Sequence, residues 1–347
     1  MRTMLKVIAN DNAKNSRLES WYKHIEETGM FLSSQLPPLA LSHRREQPLT
    51  IEMLCFDTPV RMEDFSQISQ HSFVVAEDLT VLDFGQQEWT LPHMQILLRW
   101  CAPSLKRVML CKLANASFSL EAFRYLVDFL AKHAISIDAL DIGTMHMSLP
   151  RVELLGRLCT DKAVALKKLD FGHSRWEMSH MKALMWSFAH KGYHLERLAL
   201  SAIECPAVGL DLLIRHMLQI STSVRVFSTG VTPLSDKAHG LILKQLLRSE
   251  LRIHACVLSY QSFNTENSAL LAKVIACSAL RSLALMHCQW YQDALVWPDT
   301  LAGVAKLYLE FSDGVCYEPL LTVLKARGYE VTKQADSAKR IWLERKS

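Results

Sequence analysis

An α/β solenoid is the fold class that the sequence predicts, with a curved parallel β-sheet on its concave side, helices on its convex side, and about nine or ten repeats. Three observations carry this expectation. A short motif with apolar residues at its first, fourth and sixth positions recurs along most of the chain. Three of its copies return nearly the same tetrapeptide: Leu82-Asp83-Phe84-Gly85, Leu140-Asp141-Ile142-Gly143 and Leu169-Asp170-Phe171-Gly172. Between copies, apolar residues fall at helical spacing.

Ile51-Leu54-Phe56 stands first, followed by Leu79-Leu82-Phe84, Leu105-Val108-Leu110, Ile137-Leu140-Ile142, Leu166-Leu169-Phe171 and Leu195-Leu198-Leu200. Weaker copies are Val224-Phe227, Ile253-Cys256-Leu258, Leu280-Leu283-Leu285 and Val304-Leu307-Leu309. First positions advance by 28, 26, 32, 29, 29, 29, 29, 27 and 24 residues. Helical stripes lie between them, over Leu120 to His133, Met178 to Ala189, Leu210 to Leu218, Leu241 to Leu247 and Leu270 to Ile275. One strand–turn–helix unit cannot bury both of its elements alone, and stacking units in parallel does so. Helices are about 10 Å wide and strands about 4.8 Å apart, so such a stack must curve. A (β/α)8 barrel has a similar alternation, but its strands are buried on both sides and read as unbroken apolar runs. Here Asp83, Lys168, Asp170 and Arg197 stand between the apolar positions.

Three segments follow from the register: an N-terminal helical cap or docking segment over 1–48, the repeat array over 49–311, and a C-terminal cap with a basic tail over 312–347. Ser16 to Phe31 has the spacing of an amphipathic helix, with a proline-broken stretch and a polar loop after it. Terminal units of open solenoids are atypical because they cover a raw apolar end. Tyr317 to Arg327 reads as a last helix and Ile341 to Leu343 as a last strand.

These residues resemble the ribonuclease-inhibitor-like class of leucine-rich repeats, over roughly 49–311. The resemblance implies a protein-binding solenoid. The family commonly places Asn or Cys three residues after the last apolar position, where the side chain bonds the turning backbone. Here those places hold Gln87, Leu113, Met145, Ser174, Ile203, Gln261, Cys288 and Ser312, so the repeats are diverged. Eroded repeats with unusual ends are also similar in style to effectors that pathogens deliver into host cells.

Composition narrows the function. The net charge of +4 falls short of a nucleic-acid-binding stripe. Nine cysteines, an odd number without a CxxC pair, read as buried free thiols in a reducing compartment. No signal-peptide pattern and no long apolar run is present, so a cytoplasmic, intracellular protein without a membrane span is expected. No phosphate loop, HExxH or GxSxG motif appears, and neither enzyme activity nor a cofactor nor a metal is expected. Cys288 in Met286-His287-Cys288 sits on the repeat's own turn and reads as structural.

The candidate site is therefore a protein-binding face. Asp83, Asp141 and Asp170 share one strand position, and Arg107, Lys168, Arg197 and Lys306 the neighbouring outward column. Small residues (Gly85, Gly143, Gly172, Ser201, Ser259) come next and would leave room for a partner. Trp89, Trp176 and Trp290 lie just past strand ends: exposed together they would anchor an interface, packed inward they are core. The leading expectation is a non-catalytic scaffold binding a protein partner through the concave face and one rim. The alternatives are a regulator of a GTPase, with Arg175 as its rim arginine, a substrate-recognition subunit of a ubiquitin ligase, and a cysteine-dependent transferase in the ubiquitin system.

Overall fold

The computed structural model describes residues 27–28, 30–32, 49–61, 73–172, 174–191, 195–200, 203, 206–220, 224–229, 234–247, 253–277, 280–290, 304–310, 318–335 and 340–345. The chain is α/β, with a large, mostly parallel sheet and eight helices among the described residues. It divides into two compact units, Met1–His146 with Arg157–Leu166, and Met147–Gly156 with Lys167–Ser347.

In the first unit β1 (Met30–Leu32), β2 (Met53–Cys55), β3 (Asp78–Asp83), β4 (Arg107–Lys112) and β5 (Ser136–Asp141) pair in that order, all parallel. Helices α1 (Leu91–Cys101) and α2 (Leu120–Lys132) pack side by side. Short strands add two further parallel pairs, Leu49–Ile51 with Phe73–Val75 and Glu88–Trp89 with Ser117–Phe118. The strand β1 corrects one expectation. Met30 and Phe31 belong to it and not to the predicted N-terminal helix. Glu27 and Thr28 are helical, and the Met30 amide donates to Thr28 Oγ1 at 3.1 Å. Residues 16–26 of that predicted helix lie outside the described residues.

The second unit carries β6 (Lys168–Asp170), β7 (Arg197–Ala199), β8 (Val226–Ser228), β9 (Ala255–Ser259), β10 (Ser282–Met286) and β11 (Lys306–Glu310), paired in parallel. A hairpin of β12 (Tyr329–Ala335) and β13 (Arg340–Arg345) closes this sheet, with β13 antiparallel to both β11 and β12. The expected last strand is thus paired. Helix α3 (Leu149–Thr160) is divided between the units. Helices α4 (Met178–Lys191), α5 (Ala207–Ile220), α6 (Asp236–Leu246) and α7 (Thr265–Cys277) pack in succession, and α8 (Glu318–Ala326) precedes the hairpin. Another short parallel pair joins Ser262–Phe263 to Gln289–Trp290.

Register sharpens the period. Leu82 pairs with Cys111, and Cys111 with Leu140. The third copy of the motif is therefore Val108-Cys111-Leu113, not Leu105-Val108-Leu110. A cysteine only 2% exposed fills the place of a core leucine. First positions then fall at 79, 108, 137, 166, 195, 224 and 253, a uniform step of 29. Helix starts keep the same step. Ser119 Oγ accepts from the Ala122 amide at 3.1 Å, Ser235 Oγ from Ala238 at 3.2 Å, and Asn264 Oδ1 from Asn267 at 2.8 Å. At Thr90, His93 Nδ1 accepts from the backbone amide at 3.3 Å, a capping box with histidine in the usual glutamate place. Each cap satisfies an amide that has no partner inside its helix.

The corrected register also moves the turn position from Leu113 to Ala116. Gln87, Ala116, Met145, Ser174, Ile203, Gln261 and Cys288 are all buried there. Among these, Ser174 donates to the Phe171 carbonyl, Gln261 to the Ser259 carbonyl, and Cys288 Sγ to the Leu258 carbonyl at 3.4 Å. Gln87 Oε1 accepts from the Val60 amide at 2.8 Å. Polar side chains other than Asn thus hold the turning backbone, and the apolar ones fill the same space.

Candidate functional site

The three predicted aspartates do local work first. Asp83 Oδ1 accepts from the Gly85 amide at 3.0 Å, Asp141 Oδ1 from Gly143 at 2.9 Å and Asp170 Oδ1 from Gly172 at 2.9 Å. Each aspartate therefore folds its own Asx turn. The glycines sit at φ +60°, +39° and +55°, a region that favours glycine. They do not leave room for a partner: a Cβ on Gly85 would fall 1.6 Å from the Phe56 carbonyl oxygen, and on Gly143 2.2 Å from Ala114 Cβ. Neighbouring turns already occupy that space.

Across the first unit the aspartate row reads Cys55, Asp83, Lys112, Asp141. Lys112, which the motif did not single out, stands between the two acids with Nζ 3.5 Å from Asp83 Oδ2. That row largely neutralises itself. Arg107 departs from the predicted column: it pairs in register with Asp78 and Ser136 and forms an ion pair with Asp138. The cause is the three-residue slip in the third copy.

In the second unit the predicted column is intact at Lys168, Arg197 and Lys306, in one row with Val226, Ala255, Ser282 and Glu344. Two residues further along the strands the row is Asp170, Ala199, Ser228, Val257, Ala284, Tyr308 and Trp342, small and uncharged through its middle. Just before the strands, linked through their backbones, come Lys167, Glu196, Arg225, His254, Arg281, Ala305 and Arg345. Arg225 and Arg281 are exposed; they take the second position of the motif, one before the outward column that the sequence singled out.

The tryptophans pack inward. Trp89 is 0% and Trp176 1% exposed, so neither anchors a surface. Trp89 donates Nε1–H to the Phe84 carbonyl at 3.0 Å and meets Phe56 and Phe84 edge-on at 4.9 and 5.1 Å. Trp176 donates to Ser174 Oγ at 2.7 Å and meets Phe171 edge-on at 5.1 Å. Trp89 pairs with Phe118 in a short strand and Trp290 with Phe263 in another, which makes this place a second core column. The Trp290 side chain and all of His173 lie outside the described residues. Among the described residues Trp186, on α4, is the exposed tryptophan, at 64%. Its absence from the apolar stripe of that helix is the signal that could have found it. Arg175 is exposed beside the Gly172 turn.

A polar network missed in the sequence lies where β11 meets the hairpin. Glu310, 4% exposed, accepts from Tyr308 Oη at 2.8 Å and Arg340 Nε at 2.8 Å, with His287 Nε2 at 3.1 Å. Burial alone would raise its carboxyl, but the bonds from Arg340 and Tyr308, with the charges of His287 and Arg340, hold it below the usual range. Burial and the bond to Glu310 push the Tyr308 phenol up to about 12. Trp342 lies 4.9 Å from Tyr308 and under the Lys333 ammonium at 5.1 Å, while Tyr260 stacks on His287 at 4.8 Å.

Cys55, Cys101, Cys111, Cys159, Cys256 and Cys288 are free, and of these all but the half-buried Cys55 are buried. Burial pushes Cys101, Cys111, Cys159, Cys256 and Cys288 up to about 12, the opposite of what a nucleophilic thiol needs. Among the described residues no cluster of three His, Cys, Asp or Glu side chains is placed to hold a metal ion, and no helix is long and apolar enough to cross a membrane. No protein-family model matches the chain, and no curated protein matches it in sequence.

Proposed function

We propose that this chain is a leucine-rich-repeat-like solenoid working inside a cell as a non-catalytic scaffold. It holds a protein partner against the exposed sheet face of the second unit and the rim where those strands begin. One observation carries the reading. Six parallel strands present in-register rows, one small and uncharged through its middle and the next charged and exposed at Lys168, Arg197 and Lys306. The small row, with Ala199 and Ser228 buried and Val257 and Ala284 half-buried, keeps the sheet flat beside that charged edge, which suits an extended protein surface better than it encloses a small molecule. In the first unit the Asp83–Lys112 and Arg107–Asp138 pairs spend their charge internally, which favours the second unit as the contact.

Site-specific photo-crosslinking tests this. A benzophenone side chain placed at Val226 or Ser282 on the sheet face should capture a discrete protein from lysate. The same group at Lys182 or Lys273, on exposed helix surfaces, should not. Equal capture from both sets, or none from the sheet face, would reject the assignment.

A further inference from the structure

We infer that the rim of the second unit is a receptor for an acidic, extended polypeptide segment; this deepens the scaffold reading and rests on it. Along the strand starts and the first outward row, the rim gathers Lys167, Lys168, Arg197, Arg225, Arg281, Lys306 and Arg345. Its acids are Glu196, Glu344 and, beside Glu344 at the hairpin end, Glu330; Glu344 is already paired with Lys306 at 3.3 Å. Lys168, Arg197, Arg225 and Arg281 make no salt bridge among the described residues, and all four are exposed. Lys168 and Arg197 are direct register partners, so two like charges stand on adjacent strands. Such a placement costs stability inside the sheet. It is repaid by an anion from outside, which the field of a predominantly cationic edge would also attract.

Two features choose a peptide over a nucleic acid. Asp170 closes the neighbouring row at one end, where a continuous phosphate backbone would be repelled but a peptide can set an uncharged residue. The aromatic groups at the other end offer poor platforms for bases: Trp342 is flanked by Lys333 and Tyr308, and Tyr260 already stacks on His287. An acidic peptide can put carboxylates on the rim and small apolar side chains against the half-buried Val257 and Ala284. From β6 to β11 the strand spacing spans about 24 Å, the reach of roughly seven extended residues.

The test uses the full chain and fluorescein-labelled 12-residue probes, read by anisotropy at low and moderate salt. One peptide alternates Glu with Ala, a second replaces each Glu by Gln, and a third probe is single-stranded oligo-dT. The Glu peptide should bind, weaken as salt rises, and outbind both other probes. The triple variant Arg197→Glu, Arg225→Glu, Arg281→Glu should lose at least about tenfold in affinity. Lys182→Glu, Lys191→Glu, Lys273→Glu, on helix surfaces, should change it by less than about twofold. Arg197→Gln, Arg225→Gln, Arg281→Gln should fall between, which guards against a folding defect in the reversed variant. Equal binding of the Gln peptide, or no loss on reversal, overturns the inference. Tighter binding of oligo-dT that the reversal abolishes makes the rim a nucleic-acid site and overturns it equally. If photo-crosslinking at Ser282 still captures a protein from the rim-reversed chain, the scaffold reading stands and this inference alone falls.

Discussion

Gly85→Ala isolates the demand that stacked turns make on the backbone. Gly85 holds φ +60°, where an L side chain costs about 1–2 kcal/mol. The new Cβ would also fall 1.6 Å from the Phe56 carbonyl oxygen, a backbone atom that cannot rotate away. The two turns must part, breaking the Phe56 amide bond to the Asp83 carbonyl at 2.9 Å and the Gly85 amide bond to Asp83 Oδ1. Each lost bond is worth about 1 kcal/mol, so the total comes to roughly 3–4 kcal/mol. Gly328→Ala supplies the contrast: φ is +87° but nothing lies within 4 Å of its Cβ, and only the conformational cost of about 1–2 kcal/mol remains. Urea unfolding followed by tryptophan fluorescence compares them, with Trp89 a local reporter 4.9 Å from Phe56. Gly143→Ala, in the same unit as Gly85, should resemble it, because Ala114 Cβ blocks that site at 2.2 Å. Should Gly85→Ala cost no more than Gly328→Ala, close turn packing is not what the glycines serve.

Three other outcomes follow from separate features. Asp141→Asn keeps an oxygen for the Gly143 amide and should leave stability within about 0.5 kcal/mol, whereas Asp141→Ala should cost about 1 kcal/mol; equal effects in urea titration would remove the Asx turn from the explanation. His239 is 1% exposed and its imidazole is pushed down to about 4 by burial, against smaller opposing contributions from the Ser262 carbonyl and Asp236. Its folded pKa lies below its unfolded value, so it carries no penalty above pH about 6.5. As pH falls from there toward 4 the unfolded chain gains the proton first, and roughly 3 kcal/mol of stability is lost. His239→Gln should flatten that part of the pH profile, and an unchanged slope would contradict it. Among the described cysteines, Cys55 should be labelled by iodoacetamide well before Cys101, Cys111, Cys159, Cys256 and Cys288, with peptide mapping by mass spectrometry as the readout.

The period was legible because core leucines recur, and most helices were legible from their stripes. The third repeat slipped because Leu105-Val108-Leu110 satisfies the same spacing as Val108-Cys111-Leu113. Only backbone pairing of Leu82 with Cys111 separates them. Adding 29 to Leu79 would have reached Val108, but a cysteine in the leucine place concealed it. Direction was harder to read than position. Trp89 follows a turn, and nothing in one sequence says that a second short strand begins at Glu88 and turns the ring inward. The Asp-x-Gly triplets did contain their answer, since an aspartate two residues before a glycine is a turn signal. Arg225 and Arg281 escaped because they take the motif's second position, beside and not in the outward column that was singled out, and the Glu310 network because Arg340 comes from beyond the repeats.

The hairpin at the end of the second unit also decides how that sheet can grow. A parallel stack is open-ended, since each strand is a template for another of the same direction. β13 reverses the polarity against β11, and β12 reverses it again with a register shift between Val331 and Lys333. The outer strand carries Glu330 and Lys333 exposed, charges that discourage a second chain from docking edge to edge. A further 29-residue unit therefore cannot simply be appended after β13. Lengthening this unit by duplication requires insertion before Lys306, inside the array, while the hairpin stays at its end as a stop.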